Sequence, residues 1–407
     1  AAGEVVVEKD ALIELGTTDE EGKLVFQADL PHGKYYIQEV EHKPGYLPND
    51  EVYSFDASYT DQTLELLAFS EEISNQPTIT EFTKVDLTGG QEIEGAKMQI
   101  LDQDGKVVEE WVSKKEPHVV YALEPGEYVL HEEQAPTEQG YVRAEDVKFV
   151  VEETGDVQKV KMEDDHTKVS ISKTDITDGK EIEGAKLQIL DQDGEVVESW
   201  TTGEEHLIEY LPVGTYTLHE EAAVDGYIVA NDVEFTVEET GEIQKVKMED
   251  ERAMGQLVIV KTDTDSKAAL EGVEFVLLEK ETGKEVGRLK TGKDGKAVSE
   301  LLPIGTYENG VFKEPITYVL KETATLKGYE KTEEEWEIVF TYQNDKTPVI
   351  EVVKEIQNKK IPETPGTVKP GPKTGDDTNW FLPLLALGVS AGMVAGLLYY
   401  RKRHKKA

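Results

Sequence analysis

Short stretches in which apolar and polar residues alternate run through most of the chain, up to about residue 360. Val169-Ser170-Ile171-Ser172 is a clear example, and Gly, Pro and Asp residues separate one stretch from the next. Alternation with a period of two is typical of β-strands with one buried face. Asp-Gly pairs at 104–105, 193–194 and 294–295 predict hairpins. The pattern contains no convincing helical period, so it predicts an all-β fold.

The strand pattern repeats along the chain. Residues 92–97, Glu-Ile-Glu-Gly-Ala-Lys, recur at 181–186, which is a separation of 89 residues (181 − 92). A more divergent copy starts near Gly255, and a partial copy occupies the first part of the chain. A unit of this length with many short strands is typical of a small β-sandwich. We therefore predict tandem β-sandwich domains at 1–77, 78–165, 166–252 and 253–360, the first of them without its first strand.

Charged residues interrupt the apolar faces at equivalent places in each repeat. Side chains two residues apart on a strand share a face. A lysine continues the apolar face of the first strand, a glutamate that of a middle strand, and an aspartate or asparagine that of the last strand. The three sets are Lys84, Glu132 and Asp164; Lys173, Glu220 and Asp250; and Lys261, Glu322 and Asn358.

These positions fit two interpretations when the residues are taken alone. One is a set of buried ion pairs or unrelated surface charges. The other is covalent chemistry, because burial lowers the pKa of a lysine and raises that of a carboxyl group, and a neutral amine is a nucleophile. The choice of acceptor is also open, since Asp165 neighbours Asp164 and Glu249 neighbours Asp250.

Further motifs accompany the charged positions. Lys-Thr-Asp occurs at 173–175 and 261–263, Glu-Gly-Ala occurs at 94–96 and 183–185, and a Gly-Tyr turn follows each glutamate strand. In combination, these motifs make residues 1–360 resemble the SpaA/CnaB-type domains, with their prealbumin-like fold, of Gram-positive pilins and adhesins. The resemblance implies a spontaneous isopeptide bond from the lysine to the aspartate or asparagine, promoted by the glutamate. The Gly-Tyr turns are Gly45-Tyr46, Gly140-Tyr141, Gly226-Tyr227 and Gly328-Tyr329.

The first domain carries only part of this set. Glu39 and Asn75 occupy the glutamate and acceptor positions. The expected first strand would precede Ala1, and Lys9 follows a Val-Val-Val run in a middle strand, which makes it a poor donor. We therefore expect this domain to lack a cross-link.

The C-terminal part of the chain has a different pattern. Residues 380–400 are apolar and uncharged, long enough to cross a bilayer as a helix, and a basic tail follows at 401–407. The positive-inside rule places that tail in the cytoplasm and the preceding residues outside. The proline-rich residues 361–379 predict an extended spacer that threads the cell wall.

A short motif precedes the apolar stretch and resembles the sortase sorting signal Leu-Pro-x-Thr-Gly. The resemblance implies cleavage after the threonine and attachment of that threonine to an amine of peptidoglycan. The first position departs from the signal, because a glycine stands in place of leucine. The motif residues are Gly371, Pro372, Lys373, Thr374 and Gly375.

Composition narrows the range of functions. The chain has 84 acidic and 43 basic residues and a net charge of -41, so its surface repels nucleic acid, which we exclude as a partner. It has no cysteine, which excludes disulfides, thiol nucleophiles and zinc–thiolate sites. We expect no cofactor and no metal. The stretch 287–293 matches most of a P-loop, but Asp294 stands where Ser or Thr is needed.

Together these patterns predict an extracellular, cell-wall-anchored stalk, adhesin or pilin-related protein and not an enzyme. It would insert in the membrane before sorting, with sortase and peptidoglycan as partners. A host or matrix ligand could bind a part of the protein N-terminal to this sequence. The alternative is a wall-anchored enzyme whose catalytic domain lies upstream. The only chemistry predicted within the chain is self-crosslinking that occurs once in each complete domain.

Overall fold

A computed structural model describes residues 7–58 and 67–362. The chain divides into a unit at Ala1–Lys359 and a unit at Lys360–Ala407, and the strands below all belong to the first. The sorting motif, the apolar stretch and the basic tail lie outside the described residues. Among the described residues, no helix has the length and hydropathy needed to cross a membrane. Regular structure there is almost entirely β, which confirms the predicted fold class.

The first domain has a small described sheet. Strands β1 (Lys34–Gln38) and β2 (Val52–Asp56) form an antiparallel pair. Tyr35 stacks on Phe55 across this pair, with ring centroids 5.8 Å apart.

The second domain is a sandwich of two four-stranded sheets. One sheet has the order β6-β3-β10-β8 and the other β5-β4-β7-β9. The core between them includes Phe82, Met98, Leu130 and Met162, all of which alternate with partly buried or exposed residues along their strands. The strands are β3 (Ile79–Asp86), β4 (Lys97–Leu101), β5 (Val107–Val112), β6 (His118–Tyr121), β7 (Gly126–Gln134), β8 (Tyr141–Val142), β9 (Val147–Val151) and β10 (Val157–His166), with a 3₁₀ turn at Thr137–Gln139.

The third domain repeats this architecture strand for strand. Its sheets have the orders β14-β11-β18-β16 and β13-β12-β15-β17. The strands are β11 (Lys168–Asp175), β12 (Lys186–Leu190), β13 (Val196–Thr201), β14 (His206–Glu209), β15 (Gly214–Ala222), β16 (Tyr227–Ile228), β17 (Val233–Val237) and β18 (Ile243–Arg252).

The fourth domain keeps the sandwich and adds a hairpin. In one sheet β19 pairs with β22, β23 and β28; the other has the order β21-β20-β26-β27; and β24 pairs with β25. The strands are β19 (Met254–Asp263), β20 (Glu274–Glu279), β21 (Glu285–Lys290), β22 (Lys296–Val298), β23 (Leu302–Pro303), β24 (Gly305–Glu308), β25 (Val311–Pro315), β26 (Thr317–Ala324), β27 (Glu335–Val339) and β28 (Val349–Asn358).

Two of the three predicted Asp-Gly hairpins are confirmed. The turns at 104–105 and 193–194 join the antiparallel pairs β4–β5 and β12–β13. The prediction at 294–295 is wrong. A tight turn is present there, but it connects β21 in one sheet to β22 in the other. Gly295 instead packs on the first strand, where its carbonyl accepts a hydrogen bond from the Lys261 N–H at 2.8 Å.

The first and last strands of each complete domain are parallel neighbours: β3 with β10, β11 with β18, and β19 with β28. In the second domain, Lys84 lies opposite Met162, and Asp164 is two residues further along the same face. Since side chains alternate across a strand, a lysine and an acceptor in this register point into the same core. The pairing therefore brings together residues about 80 positions apart in sequence.

Candidate functional site

The lysine, glutamate and aspartate of the second domain meet in the sandwich interior. Lys84 Nζ lies 3.0 Å from Glu132 Oε2 and is in direct contact with Asp164 Oδ1. Both carboxyl groups are fully buried, and Lys84 is 4% exposed. The Ala144 N–H donates a 2.7 Å hydrogen bond to Glu132 Oε2 and fixes its position. Amine and acceptor are thus held together in a site that excludes water.

The third domain has the same arrangement. Lys173 Nζ lies 2.9 Å from Glu220 Oε2 and contacts Asp250 Oδ1. The Ala230 N–H donates to Glu220 Oε2 at 2.6 Å, as Ala144 does to Glu132. Two independent domains therefore place the three residues in one geometry.

The fourth domain shows how an asparagine would serve as the acceptor. Lys261 Nζ lies 2.9 Å from Glu322 Oε2 and contacts Asn358 Oδ1. The Asn358 amide donates to Glu322 Oε1 at 2.7 Å and to Thr325 Oγ1 at 2.7 Å. The amine therefore faces the carbonyl, while the carboxyl group holds the nitrogen that would leave. Thr325 is a contact that the sequence analysis did not anticipate.

The structure distinguishes between the neighbouring acceptor candidates. Asp165 is partly exposed and binds Lys168 at 2.7 Å, outside the sandwich interior. Glu249 is also partly exposed and pairs with Lys247 at 2.6 Å. Asp164 and Asp250, in contrast, are fully buried beside Lys84 and Lys173. Geometry thus favours Asp164 and Asp250 as the acceptors.

Burial governs the electrostatics of these sites. Burial raises the pKa of Asp164 to about 7, with the nearby Lys84 opposing this shift and Glu132 adding to it. The pKa of Asp250 is likewise raised to about 7 by burial, against the effect of Lys173. Burial lowers the pKa of Lys261, although Glu322 opposes that change. Burial thus favours the neutral acid at the two aspartate sites and the neutral amine at the asparagine site, and amide formation uses a neutral acceptor and a neutral amine.

Buried carboxyl oxygens without a hydrogen-bond partner also disfavour the charged form of these groups. One oxygen of each of Glu132, Asp164, Glu220 and Asp250 has no hydrogen-bond partner among the described residues. A buried oxygen without a partner costs free energy, and the cost is greatest for a charged group. A proton shared within each trio, or loss of one oxygen as water, would relieve this cost.

The pKa of the aspartates predicts how bond formation depends on pH. In the second and third domains it should slow as the pH rises through about 7, because the carboxyl group then loses the proton that makes it an electrophile. The bond at Asn358 should not follow this titration, since an amide acceptor has no such proton. Folding chain that has been isolated unfolded and not yet cross-linked, on either side of pH 7, followed by peptide mass mapping at successive times, measures the formation of each bond separately. Equal pH dependence in all three domains would contradict the prediction.

The first domain holds a glutamate and an asparagine without a lysine. Asn75 Nδ2 donates to both carboxylate oxygens of Glu39, at 2.9 and 2.7 Å. Among the described hydrogen bonds and ion pairs, none joins a lysine to either residue. Lys9 has a side chain 92% exposed and lies near Asp10. The two predicted positions are thus together, but the donor position is not filled by a described residue.

Sequence analysis missed a second glutamate beside each aspartate-type site. Glu92 accepts a hydrogen bond from the Lys84 N–H at 3.1 Å, and Glu181 accepts the equivalent bond from Lys173. Burial raises the pKa of both carboxyl groups. The repeated Glu-Ile-Glu-Gly-Ala-Lys motif was the available signal, since its first glutamate recurs in both domains. These residues hold the backbone that carries each lysine and do not contact the amine.

The chain consists of tandem β-sandwich domains. Each of the three complete domains buries a lysine from its first strand, a glutamate from a middle strand and an aspartate or asparagine from its last strand. The SpaA family, a prealbumin-like fold domain, matches residues 4–69, 78–166, 167–252 and 255–315. The chain belongs to this family. No curated protein matches it.

Several solved structures are similar to this chain. The Bacillus anthracis TIE protein is 28% identical, with a TM-score of 0.48, and the match covers 70% of this chain and 51% of that one. The chain thus spans about half the length of that structure. BcpA, the major pilin subunit of Bacillus cereus, is 16% identical, with coverage of 70% and 99% and a TM-score of 0.40. A streptococcal ancillary pilin is 16% identical, with the same coverage and a TM-score of 0.29.

Proposed function

We propose that this chain is a surface stalk, adhesin or pilin-related structural protein whose three complete domains, at 78–165, 166–252 and 253–360, are cross-linked by isopeptide bonds. The observation that supports this most strongly is the contact between a buried lysine amine and a buried Asp or Asn carbonyl oxygen in each of them. The function is mechanical and adhesive, not enzymatic, because each bond forms once.

The reaction follows from the contacts. The neutral lysine Nζ attacks the acceptor carbon and forms a C–N bond, and the neighbouring glutamate passes the amine proton to the leaving group. From Asp164 and Asp250 the C–O bond breaks and water leaves. From Asn358 the C–N bond breaks and ammonia leaves, and Glu322 already accepts a hydrogen bond from that nitrogen. Atoms and charges balance without an external reagent.

A bond at this place would bear tension along the chain. Lys84 and Asp164 are 80 residues apart, and Lys261 and Asn358 are 97 apart, so each bond closes nearly a whole domain. By analogy with disulfides, closing such a loop stabilises a domain by roughly 4–5 kcal/mol through the entropy of the unfolded chain. Force that enters the first strand would leave through the last, bypassing the sandwich. A stalk without cysteine would resist unfolding in this way.

The anchoring part of the proposal concerns residues beyond the described region. Sortase would cut the Thr374–Gly375 bond and join Thr374 to peptidoglycan, with 361–379 as the wall spacer and 380–400 as the transient membrane segment. The mature chain would then be extracellular, assembled with cell-wall or pilin components. Incubating the chain with sortase and a wall-type amine should release residues 375–407 and add the amine to Thr374. An intact C-terminus would contradict this step.

Intact mass of the denatured full chain tests the cross-links directly. Two waters and one ammonia predict a deficit of roughly 53 Da relative to the sequence, which is a covalent change that denaturant cannot reverse. Peptide mapping should then find three branched peptides that join the lysines to their acceptors. A mass equal to that of the sequence would mean that the three trios are ordinary buried polar clusters.

A further inference from the structure

Three of the four Gly-Tyr turns, those at Gly45, Gly140 and Gly226, lie where one domain meets the next. Strands β10 and β11 are separated by Thr167 alone, and β18 and β19 by Ala253 alone, and both linker residues are fully buried. Thr78, which precedes β3, is also fully buried. Linkers between independently moving domains are exposed and polar, so one buried residue at each boundary is unusual.

The turn glycine binds the linker through its backbone at all three boundaries. The carbonyl oxygens of Gly45, Gly140 and Gly226 accept hydrogen bonds from the N–H groups of Thr78, Thr167 and Ala253, at 2.9, 2.8 and 2.8 Å. At the first two boundaries the contact continues into the following domain. There the linker carbonyl oxygen accepts a hydrogen bond from Ala122 or Tyr210, at 2.9 and 3.1 Å.

The glycines of these three turns leave no room for a side chain, whereas an added Cβ on Gly328 would have no atom within 4 Å. A Cβ added to Gly140 would lie 2.3 Å from the backbone carbonyl carbon of Tyr210, and one on Gly45 would lie 2.1 Å from the Ala122 oxygen. At Gly226 the nearest atom would be a ring carbon of Phe312, at 2.7 Å. In each case the crowding atom belongs to the following domain. Glycine is therefore needed for contact between domains as well as for its positive φ.

An aromatic side chain from the following domain covers each of the two later turns. Tyr210 donates a 2.7 Å hydrogen bond to Asp86, the residue two positions after Lys84, and stacks on His166 with centroids 3.9 Å apart. Burial alone would raise the pKa of Asp86, yet hydrogen bonds from Thr88, Gly89 and Tyr210 hold it well below its usual range.

The boundary between the third and fourth domains uses the equivalent aspartate, but here the tyrosine of the following domain contacts an arginine that binds the aspartate. Asp175 accepts hydrogen bonds from the Tyr227 hydroxyl at 2.7 Å and from Arg252 Nε at 2.6 Å. The Arg252 guanidinium lies 4.1 Å from the ring centroid of Tyr307, a residue of the following domain. The Tyr307 hydroxyl donates to the Gly226 carbonyl oxygen at 2.8 Å. Arg252 thus occupies the place that His166 has at the preceding boundary.

We infer that the Gly-Tyr turn, together with the aspartate two residues after the cross-linking lysine, is the docking surface by which the second and third domains each bind the next domain of the same chain in one orientation. The partner surface consists of a backbone turn that approaches a glycine and a tyrosine that contacts either the buried aspartate or the arginine bound to it. This docking does not require the isopeptide bond. Neighbouring domains therefore form a continuous, hinge-free joint.

The test exploits the absence of cysteine from the chain. Lys97 and Lys186 are exposed and begin β4 and β12, so cysteines there carry spin labels on equivalent points of adjacent domains. The full chain should give one narrow label-to-label distance. Gly140→Ala should replace it with a broad distribution, because the added methyl group collides with the Tyr210 backbone.

The matched control is Gly105→Ala. Gly105 has a φ of +77°, almost that of Gly140 at +79°, but no atom lies within 4 Å of its added Cβ. It therefore carries the same backbone cost without the collision, and the distance should stay narrow. Hydrogen exchange within β4 and β7 checks that the second domain remains folded. Tyr210→Phe removes only the hydroxyl group, so it should broaden the distribution of label-to-label distances less than Gly140→Ala does. A narrow distance in Gly140→Ala, or a broad one in the unsubstituted chain, would overturn the inference.

Discussion

Replacing Glu132 by alanine is expected to abolish the covalent bond of the second domain and leave the other two bonds intact. Glu132 lies 3.0 Å from the Lys84 amine and is the carboxyl group placed to move the proton during attack on Asp164. Without it, proton transfer has no path inside a dry core. The denatured variant should therefore lack one water loss, a change of about 18 Da in the cross-linking deficit.

The neighbouring glutamate provides the control for this substitution. Glu133 follows Glu132 on β7, points to the opposite face and has a side chain 58% exposed. Glu133→Ala changes charge and composition in the same way, yet it should retain the full deficit. If Glu132→Ala also retained it, the glutamate would have no role in forming the bond, and proximity of Lys84 to Asp164 would be sufficient.

Pulling the chain from its ends gives an independent measure of the same variant. With the bond in place, tension passes from β3 to β10 and the residues between them stay folded. Without it, the second domain can extend by up to about 290 Å, taking about 3.6 Å for each of the 80 residues enclosed. Glu133→Ala should show no such extension. An event of this length in the unsubstituted chain would mean that the second domain carries no cross-link.

The sequence alone was sufficient to predict the sandwich and the composition of each trio. Alternation along β3, β7 and β10 placed Lys84, Glu132 and Asp164 on inward faces, since period-two patterns report which side of a strand is buried. Excluding Asp165 required the structure, because a bulge or a one-residue slip of β10 against β3 would exchange the two faces of the strand. Register is set by long-range pairing, which a local pattern does not contain.

The same limit explains the incorrect hairpin and the missed docking surface. Asp294-Gly295 has the local chemistry of a hairpin turn, but the strands on either side join different sheets. The Gly-Tyr turns were visible as a repeated motif, yet the need for glycine comes from residues about 70 positions away, as with Gly140 and Tyr210. A motif shows that a residue recurs; only the tertiary structure shows what it contacts.

The docking surface and the proposed bond share a strand in the second and third domains. Lys84 and Asp86 lie two residues apart on β3, so the strand that would be tied to β10 also binds the following domain through Tyr210. A force transmitted across the boundary therefore reaches the cross-linked strands directly. This placement makes the boundary and the bond parts of one mechanical path, which fits a stalk better than it fits a set of independent binding modules.

The largest stability effect is expected when the whole trio of the third domain is replaced by uncharged residues: Lys173→Met, Glu220→Gln and Asp250→Leu. Replacing every member of a buried ionic cluster by uncharged groups of similar size is often neutral or stabilising. If the cluster is instead covalent, the substitution also removes a closure of 77 residues, at a cost of roughly 4–5 kcal/mol. The two interpretations thus predict a different sign or magnitude for the change in the free energy of unfolding of the triple variant. A single substitution would not separate them, because it would leave an unpaired buried charge in either case.

Hydrogen exchange in increasing denaturant measures this effect domain by domain. The protection of β11 and β18 should be lost at a much lower denaturant concentration in the triple variant, with β3, β10, β19 and β28 unchanged. Lys186→Met serves as the control, because this lysine is exposed on β12 of the same domain and should have little effect. Stability equal to that of the unsubstituted domain would contradict the cross-link, since a domain whose total stability is about 5–15 kcal/mol cannot lose such a closure unnoticed. Loss of protection confined to the third domain would show that the trio stabilises its own sandwich and that the neighbouring domains do not depend on it for folding.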